Sequence, residues 1–527
     1  MGATTSTLSF PAANPTALTL TCTAALLGWY CLVRPSAAER AVRHLPRPAT
    51  TLPIFHNSFD ILLRYPGRIY DFILDETRKA DGKMWCVKAL GRPVTVVLTS
   101  PEAFEHVLKT EFDAFGKGEI NFTTLFDVLG SGIFAVDGVR WLHQRKTASH
   151  LFSLQMMRGT MELAVKEYTE LLCKRLSEIS SSGEVVNIKR LLDLFTMDVF
   201  TKIGFGIDMH GLASNENPEF LDAFERASKN LLTRFQAPMW AWQLRKWLNV
   251  GKEKQMKKDV KVINDLIFDI IARSMDAKKK TENEAGKDLI SLFIEKEATE
   301  YAGGERAETD ATLIRDMTVS FIAAGRDTTS QSMSWLLLML NRYPLVLERV
   351  RAELRTKLPG LFDGSVVVPS MEDVAQLTYL EAVIRESIRL NPVVALNSRT
   401  ALQDTTLHDG TRIKAGTRVA LPHYAMARLT SIWGEDAEQY NPERWLDGDT
   451  GKIVHVSPFK FTAFLAGPRQ CLGMKFAFME MKIAMAAVLS KFDIVTVEDP
   501  FAFTYSPSLT LTIKGPVDVR VRPIGLQ

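Results

Sequence analysis

A mainly α fold with a minor β portion is what the 527-residue sequence predicts. Between residues 154 and 300 the apolar residues recur mostly with helical spacing. One 34-residue run, from Asp310 to Tyr343, keeps this spacing and ends at Pro344. Segments rich in β-branched and aromatic residues lie towards the two ends of the chain, so strands are expected to be a small part of the fold.

The first strands and helix are predicted from local signals. The segments 83–90 and 94–99 predict a hairpin, because a Gly-Arg-Pro turn separates two strand-like stretches. Ser100 followed by Pro101 predicts the start of a helix.

The later elements follow from periodicity. As a helix, the run from Asp310 to Tyr343 is about 50 Å long, which fits a helix through the centre of the domain. The remaining predictions are a helix from Met371 to Asn391, strands between Val393 and Pro422, and a last helix from Leu472 to Phe492.

The N-terminal segment differs from the rest. The first 33 residues contain no charged residue or histidine, and Thr16 to Val33 as a helix, about 27 Å long, just crosses a bilayer core. Four arginines against one acid follow, which places the rest of the chain in the cytosol. A cleaved signal peptide is the alternative, but its basic first segment is missing. We therefore predict a membrane anchor over 1–33, a proline-rich connector over 34–53 and one folded domain over 54–527.

Charge and cysteine content exclude some classes of protein. The net charge is only +3 and no long basic run contains aromatic residues, which argues against nucleic acid as a partner. The five cysteines lack the paired spacing of zinc sites or of a disulfide framework. A cysteine with a chemical role is therefore expected to act singly.

Cys471 lies in the most specific motif of the sequence, which contains Phe464, Gly467, Arg469, Cys471 and Gly473. A lone cysteine is most often a small buried apolar residue. Here the glycines allow a tight backbone, the following helix directs its positive dipole end to the sulfur, and Arg469 adds positive charge. Such surroundings stabilise the thiolate that binds a metal.

This loop resembles the haem loop of the cytochrome P-450 family, and the resemblance covers the chain beyond the anchor. It implies that haem b lies between the long central helix and the cysteine loop, with Cys471 as the iron ligand. Arg469 is expected to meet a propionate, and Phe464 to limit water near the iron. A thiolate ligand favours cleavage of the O–O bond, so the expected activity is that of a monooxygenase.

Asp327 and Thr328 lie within the long helix, in Ala-Gly-Arg-Asp-Thr-Thr over 324–329. Alone they could be an ordinary polar patch, yet an acid within so apolar a run is costly and suggests a function. The segment matches the oxygen-binding segment of the family. The resemblance implies that Thr328 holds dioxygen and its water, that Asp327 relays protons, and that Gly325 lets the helix deform.

Glu386 and Arg389 lie three residues apart on one helix face, which alone would be a routine surface ion pair. In the family such a pair binds an arginine from a later Pro-Glu-Arg segment, present here at Arg444. The resemblance therefore implies a structural network of these three residues behind the haem.

Further propionate ligands are expected on two other segments. Trp141 and Arg145 match the family's Trp-x-x-x-Arg pattern and lie on one helix face. Arg399, in the strand region after Pro392, is the other partner that the resemblance implies.

The substrate class is inferred from three segments, 324–329, 424–428 and 433–437, which are similar to those of fatty-acid and alkane hydroxylases. This implies terminal (omega) or near-terminal hydroxylation of long-chain fatty acids. A related branch forms a covalent ester between haem and a glutamate at the position of Ala324, so no such link is expected here. The expected pocket residues are Phe122, Leu125, Phe126, Ile133, Phe134, Phe321, Ala324, Val394, Leu396 and Leu509.

Electrons are expected from NADPH through the NADPH-cytochrome P-450 reductase, since the chain has no visible flavin or dinucleotide fingerprint. Lys146, Lys460 and Lys475 are expected on its docking face. With the anchor, the resemblance implies an endoplasmic reticulum membrane protein with a cytosolic catalytic domain. Its other expected partners are O2, a lipophilic small molecule and membrane lipid.

Other functions stay open at this point. A hydroxylase of a sterol or of another hydrophobic metabolite would share these motifs. A lipid-peroxide isomerase needs no external electrons, but its members often lack the acid–threonine pair that Asp327 and Thr328 form. A haem protein that only binds or senses a ligand would keep Cys471 and have no need of Thr328.

Overall fold

The computed structural model describes residues 34–214, 219–280, 290, 293 and 311–524. Helices dominate, as predicted. In chain order the described α-helices are α1 (Ala37–Ala41), α2 (Ile69–Lys79), α3 (Pro101–Glu105), α4 (Gly118–Leu129), α5 (Gly138–Ser149), α6 (Leu154–Met156), α7 (Glu162–Ser182), α8 (Ile188–Phe205), α9 (Gly211–Ser214), α10 (Glu219–Gln236), α11 (Met239–Trp247), α12 (Gly251–Lys280), α13 (Ala311–Ile322), α14 (Thr328–Arg342), α15 (Pro344–Lys357), α16 (Gly360–Asp363), α17 (Met371–Ala375), α18 (Thr378–Leu390), α19 (His423–Met426), α20 (Thr430–Trp433) and α21 (Met474–Lys491).

The strands are short. They are β1 (Trp85–Val87), β2 (Thr95–Val97), β3 (Phe115–Gly116), β4 (Val186–Asn187), β5 (Asn397–Ala401), β6 (Thr405–Thr406), β7 (Arg412–Ile413), β8 (Arg418–Leu421), β9 (Phe492–Thr496), β10 (Tyr505–Pro507), β11 (Leu511–Ile513) and β12 (Asp518–Pro523). The largest sheet has the order β1-β2-β8-β5-β3, and β2 and β8 are its parallel pair. The late strands β8 and β5 therefore lie between the early strands β2 and β3.

The long central helix consists of α13, a π-helical turn over Ala323–Asp327, and α14. It is buried over most of its length and packs against α8, α18 and α21. A Cβ atom at Gly325 would overlap the ring of Phe200 on α8, so glycine at this position allows the two helices to approach closely. The helix does deform at Gly325, inside the turn that carries Asp327.

The local signals for β1, β2 and α3 predict the structure well. β1 and β2 pair antiparallel, and the Ser100 hydroxyl accepts a hydrogen bond from the Ala103 amide with Pro101 as the first helical residue.

The sequence-based expectation of one helix over 371–391 is wrong, because α17 and α18 are separate. The Glu353 carboxylate accepts hydrogen bonds of 2.9 Å from the Tyr379 and Leu380 amides, which stabilises a new helix start inside the predicted run.

The segment predicted as an extended connector, 34–53, is instead packed on the domain. It contains α1, and Glu39 forms an ion pair of 2.9 Å with Lys88. Val42 is fully buried, and the Cys86 amide donates to the Pro46 carbonyl at 2.8 Å. Burial of Val42 and the ion pair between Glu39 and Lys88 hold this segment on the domain, although its prolines favour an extended backbone.

The predicted anchor over 1–33 lies outside the described residues. Among the residues that the structure describes, no helix combines the length and apolar character needed to span a bilayer.

Candidate functional site

Cys471 lies at the end of a loop that enters α21. Two 3-10 turns, Thr462–Phe464 and Gly467–Arg469, shape this loop, and the Cys471 amide donates to the Phe464 carbonyl at 2.9 Å. The thiol is accessible to solvent although protein surrounds it. Burial raises its pKa, while a hydrogen bond from the Gly473 amide and the charge of Arg145 act to lower the pKa. The helix begins at Met474, two residues later than predicted.

Gly467 has a steric role in this loop. Its φ is +69°, and a Cβ atom there would overlap the carbonyl oxygen of Leu108. Gly473 is different, because its φ is −85° and a Cβ atom would meet the Phe152 ring at an ordinary 3.5 Å. The backbone therefore requires a glycine at position 467 but not at position 473.

Replacement of Gly467 by alanine is expected to lower the free energy of unfolding by about 2–4 kcal/mol, because a left-handed backbone and an overlap both add strain. Urea unfolding followed by circular dichroism measures this change. Gly473→Ala is the matched control in the same loop, and we expect it to cost less. Equal losses in the two variants would contradict the steric role of Gly467.

The expected ligands on α5 lie against the cysteine loop. Arg145 Nη2 donates to the Gln470 carbonyl at 2.7 Å. Burial lowers the pKa of Arg145, and the charge of Cys471 acts to raise it. The guanidinium of Arg469 lies 4.2 Å from the centre of the Trp141 ring. Phe464 packs on Phe478 with 5.4 Å between ring centres. These residues therefore meet around Cys471.

A cluster of positive charge adjoins the loop. Burial lowers the pKa of Arg399 to about 9 and that of Arg469 to about 10. Burial also lowers the pKa of Lys117, and the charge of Arg469 acts to lower the pKa of both Arg399 and Lys117. Asp137 is the acid in this cluster, and it accepts from Arg469 Nη2 at 2.6 Å. The nearby His423 has its pKa lowered to about 3 by burial, so it adds no charge.

These residues fit a haem group. Within the part of the chain that the structure describes, Arg399 Nη2 and Arg469 Nε have no hydrogen-bond partner. Unpaired N–H donors on buried guanidinium groups require acceptors, and two carboxylates of the propionate type would supply them in addition to Asp137. The accessible thiol of Cys471 lies beside this cluster, as a ligand to a propionate-bearing metal group would.

Thr328 and Asp327 adjoin the π-helical turn. The Thr328 hydroxyl donates to the Ala324 carbonyl at 2.6 Å, the bond to the residue four positions earlier that a threonine in a helix can form. Asp327 is buried and its carboxylate contacts the guanidinium of the buried Arg326. Asp327 is therefore the last residue of the π-helical turn, and Thr328 is the first residue of α14.

Glu386, Arg389 and Arg444 form one buried ion-pair network. Arg389 binds both carboxylate oxygens of Glu386 at 2.8 Å, and Arg444 Nε lies 2.9 Å from Glu386 Oε1. The Trp445 indole and the Asn441 amide each donate to the same carboxylate at 2.9 Å. The network joins α18 to the chain segment that leads to the cysteine loop.

The expected pocket residues lie on several elements. α4 packs against α13, and the Leu511 amide donates to the Val393 carbonyl at 2.7 Å, which brings the region of Leu509 to that of Val394. Leu125, Ile133 and Phe321 are buried, Phe122, Ala324, Val394, Leu396 and Leu509 are half-buried, and Phe126 and Phe134 are exposed. Phe122 and Phe126 line an open cavity of about 530 Å³ between α4 and α11. These two aromatic residues therefore face outwards, towards Trp242 and Trp247.

The lysines expected on a docking face differ in exposure. Lys146 and Lys475 are exposed. Lys460 is half-buried, and its ammonium lies 4.7 Å from the centre of the Trp433 ring. Two of the three are thus available to an acidic partner.

Sequence reasoning missed several residues of the site. The Asp137 carboxylate accepts hydrogen bonds from the Lys117 and Gly118 amides, at the start of α4. Its position directly before α5 is a sequence signal that could have identified it. Lys117 carries no such signal. Glu480 on α21 is buried beside Thr329, and burial raises its pKa to about 8. Its position depends on how α21 packs against the central helix.

The comparisons with known proteins agree with this geometry. The family model described as Cytochrome P450 matches residues 46–518. The chain is 33% identical to "Cytochrome P450 CYP94D108" of Paris polyphylla, over 87% of this chain and 91% of the relative. It is 35% identical to "Cytochrome P450 94B1" of Arabidopsis thaliana (86% and 87%) and 35% identical to "Cytochrome P450 704B1" of the same plant (77% and 84%).

Proposed function

The chain belongs to the cytochrome P450 family, whose members are haem-thiolate monooxygenases, and on this premise we propose that it hydroxylates long-chain fatty acids at or near the chain end. The observation that carries the monooxygenase part of the proposal is the position of Cys471 beside a cationic cluster, together with Asp327 and Thr328 on the deformed central helix. The haem would supply the activation of O2 that breaks the substrate C–H bond.

The residues that would hold the haem lie around the cysteine loop, and two of them, Arg399 and Arg469, have N–H donors without a partner among the described residues. Cys471 would bind the iron, and Arg399, Arg469, Arg145, Trp141 and, as an addition, Lys117 would bind the propionates. Phe464, in the same loop, packs on Phe478 and would limit water near the iron. A haem b without an ester link is proposed, because the side chain at Ala324 is not a carboxylate.

Asp327 and Thr328 would move protons to the reacting oxygen. The hydroxyl of Thr328 is fixed by the Ala324 carbonyl, which leaves the oxygen atom free to accept a hydrogen bond. Asp327 is the adjacent titratable group, and an acid that exchanges protons with solvent can resupply this position.

Replacement of Thr328 by alanine is expected to leave haem binding intact and to lower the product formed per NADPH by about tenfold or more. The electrons that do not yield product should appear as hydrogen peroxide. The matched control is Ser334→Ala, since Ser334 also donates to the carbonyl four residues earlier, at 2.8 Å, on the same helix. Unchanged coupling in Thr328→Ala would remove this residue from proton delivery.

The proposed substrate class has two supports. The residues expected in the pocket are all apolar, which favours an aliphatic chain, although Phe126 and Phe134 are exposed and Phe122 and Phe126 face the outer cavity instead. The segments 324–329, 424–428 and 433–437 resemble those of fatty-acid and alkane hydroxylases. Electrons from NADPH through the reductase, a location at the endoplasmic reticulum membrane, and an anchor over 1–33 are part of the same proposal.

The test of this proposal uses the full-length protein with haem. Fatty acids of graded chain length, alkanes and sterols are screened for a shift of the iron spin state, and products are identified with NADPH and reductase. We expect binding and terminal hydroxylation of fatty acids. Turnover of sterols alone would contradict the substrate class, and conversion of lipid peroxides without NADPH would contradict the monooxygenase reaction.

A further inference from the structure

Arg92 and Arg418 form a second pair of cations, outside the cluster around the cysteine loop. Arg92 lies in the turn between β1 and β2 and is only 5% exposed, and Arg418 is the first residue of β8 and is half-buried. Among the described residues no carboxylate acts on the pKa of either group. Arg92 Nη1 and Arg418 Nε are buried and have no hydrogen-bond partner there. Two positive charges are therefore close together without an acid.

The hydrogen-bond partners that Arg418 does have are neutral. Its Nη2 atom donates to the Ser398 hydroxyl at 2.8 Å and to Asn121 Oδ1 at 3.4 Å. Burial lowers the pKa of Arg418 to about 10, and the charge of Arg92 acts to lower it further. The charge of this guanidinium is thus not compensated by the groups around it.

Arg92 has a structural role that accounts for part of its geometry. Its Nε atom donates to the Ala237 carbonyl at 2.8 Å, and its Nη2 atom donates to the Arg234 carbonyl at the end of α10. A cation commonly binds the last carbonyls of a helix in this way. This role uses two of the nitrogens of Arg92 and leaves Nη1 unpaired, and it does not explain why Arg418 lies nearby.

The haem propionates are not available to this pair. In the antiparallel pairing of β5 with β8, Thr400 lies opposite Arg418 and Arg399 lies opposite Val419. Neighbouring residues of a strand extend to opposite faces of a sheet, whereas residues opposite each other share a face. Arg418 therefore lies on the other face of the sheet from Arg399, the proposed propionate ligand.

The pair lies beside the expected substrate pocket. Asn121 and Ser398, the partners of Arg418, belong to α4 and β5, which pack against each other. Leu396, an expected pocket residue, comes two residues before Ser398. The ring of Phe235, at the end of α10, has its centre 5.9 Å from the guanidinium of Arg418. An anion bound to Arg418 would thus be next to the apolar residues that are expected to hold the chain.

We propose that Arg418 and Arg92 bind the carboxylate of the substrate, an aliphatic chain with one anionic end. The inference rests on the proposed function and names the group that orients the fatty acid. An anion stabilises two neighbouring cations that have no acid of their own. Arg418, which is partly accessible, contacts the carboxylate, and the more deeply buried Arg92 adds its charge. With one end held here, the other end of the chain is the part that extends to the haem.

The test uses the full-length holoenzyme with lauric acid and methyl laurate, which share the chain and differ in charge at the head. The shift of the iron spin state gives a dissociation constant for each, and their ratio is the preference for the carboxylate. We expect the wild type to prefer the acid. Arg418→Gln should lower this preference about tenfold or more, because a charged hydrogen bond is lost, and Arg92→Gln should lower it less. A ratio taken within one variant cancels a general loss of folded protein.

Asn121→Asp tests the same site without removing an arginine and without changing side-chain size. The new carboxylate replaces an amide oxygen that lies 3.4 Å from Arg418 Nη2, so it would compete with the ligand for this cation. The preference for lauric acid should fall, and oxidation of lauric acid should spread away from the chain end, because the head is no longer held. A wild-type preference in both Asn121→Asp and Arg418→Gln would overturn the inference.

Lys246→Gln is the matched control for a nearby cation. Lys246 lines the open cavity between α4 and α11, and its ammonium lies 2.7 Å from Asp127 Oδ1. This cation already has an acid and is exposed, so its variant should keep the wild-type preference. A loss of preference in Lys246→Gln but not in Arg418→Gln would place the carboxylate in the open cavity and overturn the inference.

The outcomes separate this inference from the proposed function. A wild type that binds both ligands equally and oxidises both at the chain end would overturn the carboxylate site and leave the proposed hydroxylation standing. A wild type that binds neither ligand and turns over only sterols would overturn the proposed function itself. A preference that falls in the arginine variants and persists in Lys246→Gln would support both.

Discussion

Replacement of Cys471 by alanine is expected to reduce monooxygenase activity to the level of a control without protein. The variant removes the sulfur that the cysteine loop presents beside the cationic cluster, and with it the electron donation that favours O–O cleavage. Product formation with NADPH and reductase measures the loss. The spectrum of any haem that the variant retains reports whether the thiolate is gone.

Cys173→Ala is the control for this variant. Cys173 is buried among apolar residues of α7, and burial raises its pKa to about 11, so it is a neutral core residue. We expect normal activity and a normal spectrum. Activity that survives in Cys471→Ala but not in Cys173→Ala would contradict the assignment of the ligand.

Replacement of Glu386 by alanine is expected to lower the free energy of unfolding by about 3–5 kcal/mol. The change leaves Arg389 and Arg444 without their shared carboxylate, and Arg389 is almost fully buried. A loss of this size is a large fraction of the stability of an ordinary protein. Denaturant unfolding of the purified protein measures it.

Glu443→Ala offers a matched control in the 3-10 turn Pro442–Trp445, next to Arg444. Glu443 also pairs with an arginine, Arg349, but both side chains are about half exposed. An exposed pair contributes about 0–1 kcal/mol, so this variant should be close to wild type. Similar losses in Glu386→Ala and Glu443→Ala would contradict the view that burial gives the network its importance.

Much of the site could be predicted from the sequence because its residues lie in short motifs. The cysteine loop, the Asp327–Thr328 pair and the Glu386–Arg389 pair each depend on spacings of a few residues, so local backbone geometry brings these side chains together. Arg444 joins Glu386 from 58 residues away and was expected only from the family resemblance. The central helix was also predictable, because apolar residues recur with helical spacing over 34 residues, and so long an apolar face is buried most readily inside the domain.

Features that depend on distant packing were not predictable. The break between α17 and α18 arises because Glu353, on another helix, caps the amides of Tyr379 and Leu380. Lys117 joins the cationic cluster only because β3 pairs with β5, the strand of Arg399. The packing of 34–53 likewise depends on Lys88, which lies far along the chain from Glu39. Such contacts leave no periodic or local signal.

The central claim is that Cys471 binds the haem iron as a thiolate. The most direct test is the absorption spectrum of the reduced wild-type protein with carbon monoxide. Thiolate ligation predicts a strongly red-shifted Soret band, which Cys471→Ala lacks. A Soret band like that of a histidine-ligated globin in the wild-type protein would contradict the claim.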